Sequence, residues 1–295
     1  MRFLAALVLI ASLHAQTQTP LVRLEANIRR VTTSVNATWG IYIKCLETNE
    51  EIAIDADRQM DTMSVIKIPL MAEAFRQIGE HKFALSDRIQ LTEAAKRPGT
   101  GVIRSLDAGD DLTIKDLLTL MIIVSDNTAT DLIYDKVGGP EAVNRLMQQW
   151  DLKSIHAPGT ADTWFKALAA APSAEAFHRA ARNPFGLSSP RDMGRLLEKL
   201  EKGEAVSADA SAQMLRIMRG QIYGTRLPRY VSGYRIPHKT GDFMPYIGND
   251  VGVLETNGKR IVISVFTANH FGAGDRLEDA IGRVAELTGN YFAAR

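Results

Sequence analysis

The chain has 295 residues, room for one large domain or two closely packed lobes around a shared core. Its composition, 45% hydrophobic and 23% charged, is ordinary for a soluble globular protein. A net charge of +1 gives no broad attraction to nucleic acid or to a membrane surface, and short basic pairs such as Arg29-Arg30 read as a solvated helix face.

Residues 1–15 read as an export signal. Arg2 is the positive start, Phe3 to Leu13 is an apolar run too short for a comfortable bilayer span, and Ala15 offers a small residue before Gln16. No later segment is long and apolar enough to span a membrane. A periplasmic or secreted location follows, with residues 16–295 as one catalytic unit. The only cysteine, Cys45, has no partner in the chain and lies in the apolar run Ile41 to Leu46, where it reads as buried strand filler.

Beyond the signal, Leu21, Leu24, Ile28 and Val31 share one face of a helix. Gly40 to Leu46 and Glu51 to Ile54 read as a hairpin turning at Thr48-Asn49-Glu50. Met63 to Ile78 is a helix apolar nearly all round, hence buried, with Gly79 as its stop. Leu112 to Val124 and Thr128 to Val137 are helical, separated by Ser125-Asp126-Asn127, a sequence suited to a turn or an N-cap. Gly138-Gly139-Pro140 breaks the chain before a helix from Glu141 to Trp150. From Leu152 to Leu187, Pro158, Pro172 and Pro184 interrupt helical fragments such as Phe165 to Ala171. Pro190 to Leu200 and Ala208 to Met218 are helical again. Arg235 to Lys239, Asn249 to Glu255 and Arg260 to Ala268 read as strands, the last two joined by the hairpin pair Asn257-Gly258. Asp275 to Phe292 closes the chain as an amphipathic helix.

This order predicts an α/β plus all-α architecture: an antiparallel sheet from both ends of the chain, flanked by the terminal helices, with a helical lobe inserted. The α/β lobe is expected over approximately 20–60 and 220–295, and the helical lobe over approximately 61–219. The cleft between two such lobes is a natural place for a site.

Three short motifs carry the chemistry. Ser64 and Lys67, three apart, lie on one helix face, where an amine of lowered pKa can activate a hydroxyl. A Ser-x-x-Lys pair arises by chance about once in a chain this size, so it decides nothing alone. Ser125 adds a second hydroxyl able to relay a proton, and the Asn127 amide can bind a substrate amide or fix the lysine. Lys239-Thr240-Gly241 on a strand offers a cation and a hydroxyl to a carboxylate, and a glycine that lets a bound acyl chain approach; the plain alternative is an edge strand blunted by a lysine. Each triplet has a chance rate of roughly a few per cent per chain, and all three in order are far rarer.

Together, Ser64-Val65-Ile66-Lys67, Ser125-Asp126-Asn127 and Lys239-Thr240-Gly241 resemble the motif set of class A β-lactamases and penicillin-binding proteins. The likeness continues through Asp111 to Leu118, Gly138-Gly139-Pro140, Ser189 to Met193 and Asn249-Asp250, nearly the whole mature chain. It implies that Ser64 attacks a β-lactam or related carbonyl with the help of Lys67, and that Ser125 passes a proton to the leaving nitrogen. It further implies an oxyanion hole from the N–H groups of Ser64 and Asp242, a carboxylate held by Lys239 and Thr240, and a side-chain amide held by Asn127.

The sequence departs from the class A pattern at one point. The Glu-x-x-Leu-Asn motif that drives deacylation is missing, and its place falls near Gly159 to Trp164, where no glutamate stands. Asp162 and Glu175 are the nearest carboxylates, with a surface or capping role the plainer reading; His156 and His178 have the same standing. Arg226 and Arg229 can assist a carboxylate, though surface arginines are the default. Three readings follow: a serine β-lactamase with an unusual deacylation apparatus, a related D,D-peptidase or esterase, and a penicillin-binding protein that acylates without efficient turnover. A zinc hydrolase is disfavoured, because the six histidines form no His-Glu-x-x-His or His-x-His spacing. The absence of Gly-x-Ser-x-Gly disfavours an α/β-hydrolase. No cofactor is called for, and a monomer acting on a small β-lactam or acyl/peptide substrate is expected.

Overall fold

The computed structural model describes residues 19–181, 183–231 and 236–295. The expected export signal and Arg235, the first residue of an expected strand, lie outside the described residues. In chain order the elements begin with α1 (Pro20–Thr33), β1 (Thr38–Cys45), β2 (Glu51–Ile54) and β3 (Met60–Asp61). A 3-10 turn (Met63–Ile66) then runs into α2 (Lys67–Gly79), followed by β4 (Arg88–Gln90), β5 (Asp111–Thr113), α3 (Ile114–Ile123), α4 (Asn127–Val137) and α5 (Pro140–Gln149). Next come α6 (Ala161–Ala169), α7 (Ala174–Ala180), β6 (Leu187–Ser188), α8 (Pro190–Glu201) and α9 (Ala208–Met218). The chain ends with β7 (His238–Phe243), β8 (Ile247–Thr256), β9 (Lys259–Ala268) and α10 (Gly274–Ala293).

Two strands from the start of the chain and three from its end form one antiparallel sheet, in the order β2-β1-β9-β8-β7. Both faces of the sheet are covered, so β1 and β9 are buried almost throughout rather than alternating. On one face Ile41, Ile43 and Ile263 pack with Leu24 and Ile28 of α1 and Leu277, Ile281 and Val284 of α10. On the other, Val251, Val253, Val262 and Phe266 join the core of the helical lobe with Met193 and Leu196 of α8. Asn257 and Gly258 both have positive φ, 46° and 72°, the backbone of a type I′ turn that matches the strand twist.

Local signals set the helical lobe. The carboxylate of Asp126 accepts from Ala129 N at 2.9 Å and so caps α4, as its sequence position suggests. Gly138, at φ 91°, ends that helix and Pro140 starts the next. The helix expected from Leu112 begins two residues later. Thr113 and Asp116 form a capping box, and the residues before them pair with β4 as a short strand. The unclear stretch after Leu152 resolves into α6 and α7, each opened by a capping hydroxyl, from Thr160 and Ser173. Cys45 is fully buried in β1. Among the described residues no helix is long and apolar enough to cross a membrane.

Candidate active site

The helix expected from Met63 opens as a 3-10 turn, and this matters for the site. Side chains at i and i+3 eclipse in a 3-10 turn, so Ser64 and Lys67 are brought onto one line. Met63 has φ 45°, a left-handed conformation that a bulky side chain adopts only when its surroundings enforce it. The enforcing contacts are on either side of it. Thr62 N donates to Gly186 O at 2.8 Å, and Met63 N donates to the Asp61 carboxylate at 2.8 Å.

Strand β7 closes the other side of the turn. A Cβ placed on Gly241 would lie 2.2 Å from Thr62 O and 3.0 Å from Ser64 N. Only glycine permits the strand to lie this close, which sets the adjoining Thr240 and Asp242 beside Ser64. Ser125, in the turn between α3 and α4, also has left-handed backbone, φ 56°. Its carbonyl accepts from Lys67 Nζ and from Thr100 Oγ1, both at 2.7 Å.

The three motifs therefore meet. Ser64, Ser125, Asn127, Thr240 and Asp242 line one cleft of about 740 Å³. Lys67 and Lys239 are fully buried behind Ser125, whose Oγ lies 3.1 Å from both amines. Lys67 Nζ also donates to Asn127 Oδ1 at 2.9 Å, and Lys239 Nζ to Thr240 O at 2.8 Å. Lys239 is thus no blunted, exposed edge lysine, although β7 is the edge strand. Asn127 fixes the lysine through its oxygen and the loop carbonyl of Pro98 through its nitrogen, at 2.9 Å.

Burial, and then the neighbouring Lys239, hold the Lys67 amine well below its ordinary value. Burial lowers Lys239 to about 7, against the pull of the Asp242 and Asp250 carboxylates. An uncharged amine has two N–H groups and a lone pair. Of the three contacts of Lys67, two are then donated and the lone pair is free to accept a hydroxyl proton. The Ser125 carbonyl and the Asn127 amide oxygen can only accept, so the lone pair of an uncharged Lys67 faces the Ser125 hydroxyl, whose oxygen accepts from Lys239.

Other sequence candidates fall elsewhere. Asp162 pairs with Lys166 at 2.6 Å and lies 3.6 Å from Arg97. Glu175 pairs with Arg179 in α7 and is 84% exposed. His156 is exposed, bridging Leu187 through its backbone, and the side chain of His178 falls outside the described residues. Arg229 faces Tyr230 and Asp279, away from the cleft. Arg226 is the correction. It is 4% exposed rather than a surface arginine, because its guanidinium is held by Asn249 O at 2.9 Å and by Asp242 and Glu278, each at 3.3 Å.

Two groups of residues had no sequence signal. Trp164, Phe165, Leu168, Phe185 and Phe243 form one wall of the cleft. Asp61, three residues before Ser64, is a half-buried carboxylate bonded to the N–H groups of Met63, Phe185 and Gly186. Burial raises it to about 6 despite those bonds. Both arise from the fold of the stretch after Leu152 against the nucleophile turn; the adjacent Trp164-Phe165 pair is the only hint the sequence offers.

The fold and site are those of the serine acyl-transfer superfamily of active-site Ser-x-x-Lys enzymes. The family model described as "Beta-lactamase enzyme family" matches residues 23–292. The beta-lactamase VEB-1 of Pseudomonas aeruginosa is 25% identical over 91% of this chain and 90% of its own. A beta-lactamase from Sphaerobacter thermophilus superposes with TM-score 0.79 at 29% identity, covering 92% of this chain and 97% of the other. A mutant of PBP-A, solved as an acyl-enzyme complex with penicillin G, gives TM-score 0.80 at 25% identity over 93% of this chain and 98% of the other. The chain belongs to the beta-lactamase enzyme family and is a serine hydrolase of the class A β-lactamase type.

Proposed function

We propose that the mature protein, exported after loss of residues 1–15, opens β-lactam amides as a monomer through an acyl-enzyme on Ser64. The observation that carries this reading is the Ser125 hydroxyl, 3.1 Å from two buried lysines and lining the same cleft as Ser64. Neutral Lys67 takes the Ser64 proton as Oγ forms its bond to the lactam carbonyl. The N–H groups of Ser64 and Asp242 receive the oxyanion. Ser125 donates its proton to the departing nitrogen and is reprotonated from Lys67, so the proton count closes. Lys239 and Thr240 hold the substrate carboxylate, with Gly241 keeping the strand close. Asn127 keeps Lys67 oriented, and its amide oxygen retains a lone pair for a substrate amide.

Slow release of the acyl group is the second part of the reading. Among the described residues, the carboxylates lining the cleft are Asp242 and Glu278, and Arg226 engages both. Asp162 and Glu175 are committed to basic partners outside it. A hydrolytic water without a general base reacts slower by a factor of about 100 to 10,000. That factor favours a long-lived acyl-enzyme, as in a penicillin-binding protein or slow D,D-peptidase, over rapid turnover.

The test is incubation with a chromogenic cephalosporin, following colour and intact mass together. A burst of about one equivalent of colour with a mass adduct on Ser64, then slow turnover, is expected. Fast multiple turnover without an adduct removes the slow-release part. Neither colour nor adduct removes the β-lactam reading. Ser64→Ala is expected to abolish the adduct; an adduct that survives it places the nucleophile elsewhere.

A further inference from the structure

The cleft has two chemically unlike ends. One is polar, with Thr240, Asp242 and Arg226 beside Lys239. The other is built by the segment in which the sequence has no Glu-x-x-Leu-Asn, and it is aromatic. Trp164 sits at its centre, edge-to-face with Phe165, Phe185 and Phe243 at centroid separations of 5.1, 5.7 and 5.7 Å. Its indole N–H already donates to Asn183 O at 3.0 Å. Among the described residues, this wall therefore offers a ligand ring faces, ring edges and the Leu168 side chain, and no hydrogen-bonding side-chain group.

The wall is fixed relative to Ser64. Phe185 N and Gly186 N donate to the Asp61 carboxylate, and Gly186 O accepts from Thr62 N, two residues before the nucleophile. Phe165 lies against Gly99, where an added Cβ would sit 2.8 Å from its ring and 2.7 Å from Asn127 Nδ2. Interlocked rings of this kind hold their shape before the ligand arrives.

Resting on the Ser64 acyl-enzyme reading, we infer that this wall is the subsite for the acyl group, and that it selects donors whose acyl substituent is aromatic or otherwise bulky and apolar. The direction follows from the site. The substrate carboxylate goes to Lys239 and Thr240, and the leaving nitrogen faces Ser125. The acyl substituent then extends to the remaining end, across Ser64 and onto Trp164 and Phe185. A polar or zwitterionic substituent there loses its water and finds no partner, whereas an aryl group loses only apolar contact with water. Peptide stems with charged acyl ends are disfavoured, which separates this protein from a peptidase acting on such stems.

The experiment measures second-order acylation rate constants by intact mass with three penicillins sharing one nucleus. Benzylpenicillin carries a phenylacetyl group, penicillin N a zwitterionic aminoadipyl group, and 6-aminopenicillanic acid no acyl group. Benzylpenicillin is expected to react at least about tenfold faster than either of the others, the scale of discrimination by an apolar pocket. Leu168→Gln and, at the exposed rim of the cleft, Phe177→Gln are each expected to lower that ratio severalfold. Because each rate is referred to another on the same variant, a general loss of activity cancels, and the rim variant guards against misfolding in the first. Equal rates for the three penicillins, or a ratio unchanged in both variants, overturns the subsite while leaving the Ser64 reading intact. No adduct with any of the three overturns the Ser64 reading and the subsite with it.

Discussion

Replacing Asp61 by asparagine tests how the nucleophile turn is held. The half-buried carboxyl accepts from the backbone N–H groups of Met63, Phe185 and Gly186 and is raised from 3.8 to about 6 by burial. That gap corresponds to about 3 kcal/mol. The sign follows from linkage. The folded state binds this proton more tightly than the unfolded chain, so the Asp61 contribution to stability falls as pH rises from about 4 to about 6 and is constant outside that window. Asparagine cannot ionise. It also turns an N–H group toward one of the backbone donors, a fixed cost that does not change with pH. The stability of Asp61→Asn relative to the parent should therefore improve by about 2.5 kcal/mol between pH 4 and pH 8. Urea unfolding of both proteins at several pH values gives that difference, and titrations common to both cancel. A difference that is flat across this window would refute the assignment of a raised, uncompensated carboxyl beneath the turn.

Three further outcomes are expected. Lys67→Ala should slow acylation by a factor of about 100 to 10,000, read by intact mass, because Ser64 loses its proton acceptor. Gly241→Ala forces a Cβ to within 2.2 Å of Thr62 O, so β7 must shift away from the turn that carries Ser64. A loss of about 1–3 kcal/mol in stability and of at least about a hundredfold in acylation is expected, from melting and adduct formation. Lys239 is held at about 7, so its charge is present below that pH and fades above it. Acylation by a carboxylate-bearing β-lactam should decline as pH rises through about 7, and Lys239→Ala should remove that limb of the profile.

Much of the site was legible from sequence because its parts are local motifs with definite backbone demands. Asp126 reads as a cap and is one. Ser64 and Lys67 read as a pair on one helix face, and the 3-10 turn aligns them further. The hairpin at Asn257-Gly258 and the break at Gly138-Gly139-Pro140 are set by residues that tolerate positive φ or fix it. Illegible features depend on residues far apart in the chain. Arg226 reads as a surface residue until Asp242, Glu278 and the Asn249 carbonyl are folded around it. Asp61 is an ordinary carboxylate until Phe185 and Gly186 arrive to donate to it.

The sequence by itself determined the three motifs, the strand and helix order that brings them toward one cleft, and the absence of Glu-x-x-Leu-Asn, since each rests on residue type and short-range spacing. Only the tertiary structure decided what stands where that glutamate is missing. Proline-broken fragments carry no clear periodicity, so their fold is set by what they pack against. Here they pack Trp164 among Phe165, Phe185 and Phe243, and an apolar wall lines the cleft that Ser64 also lines.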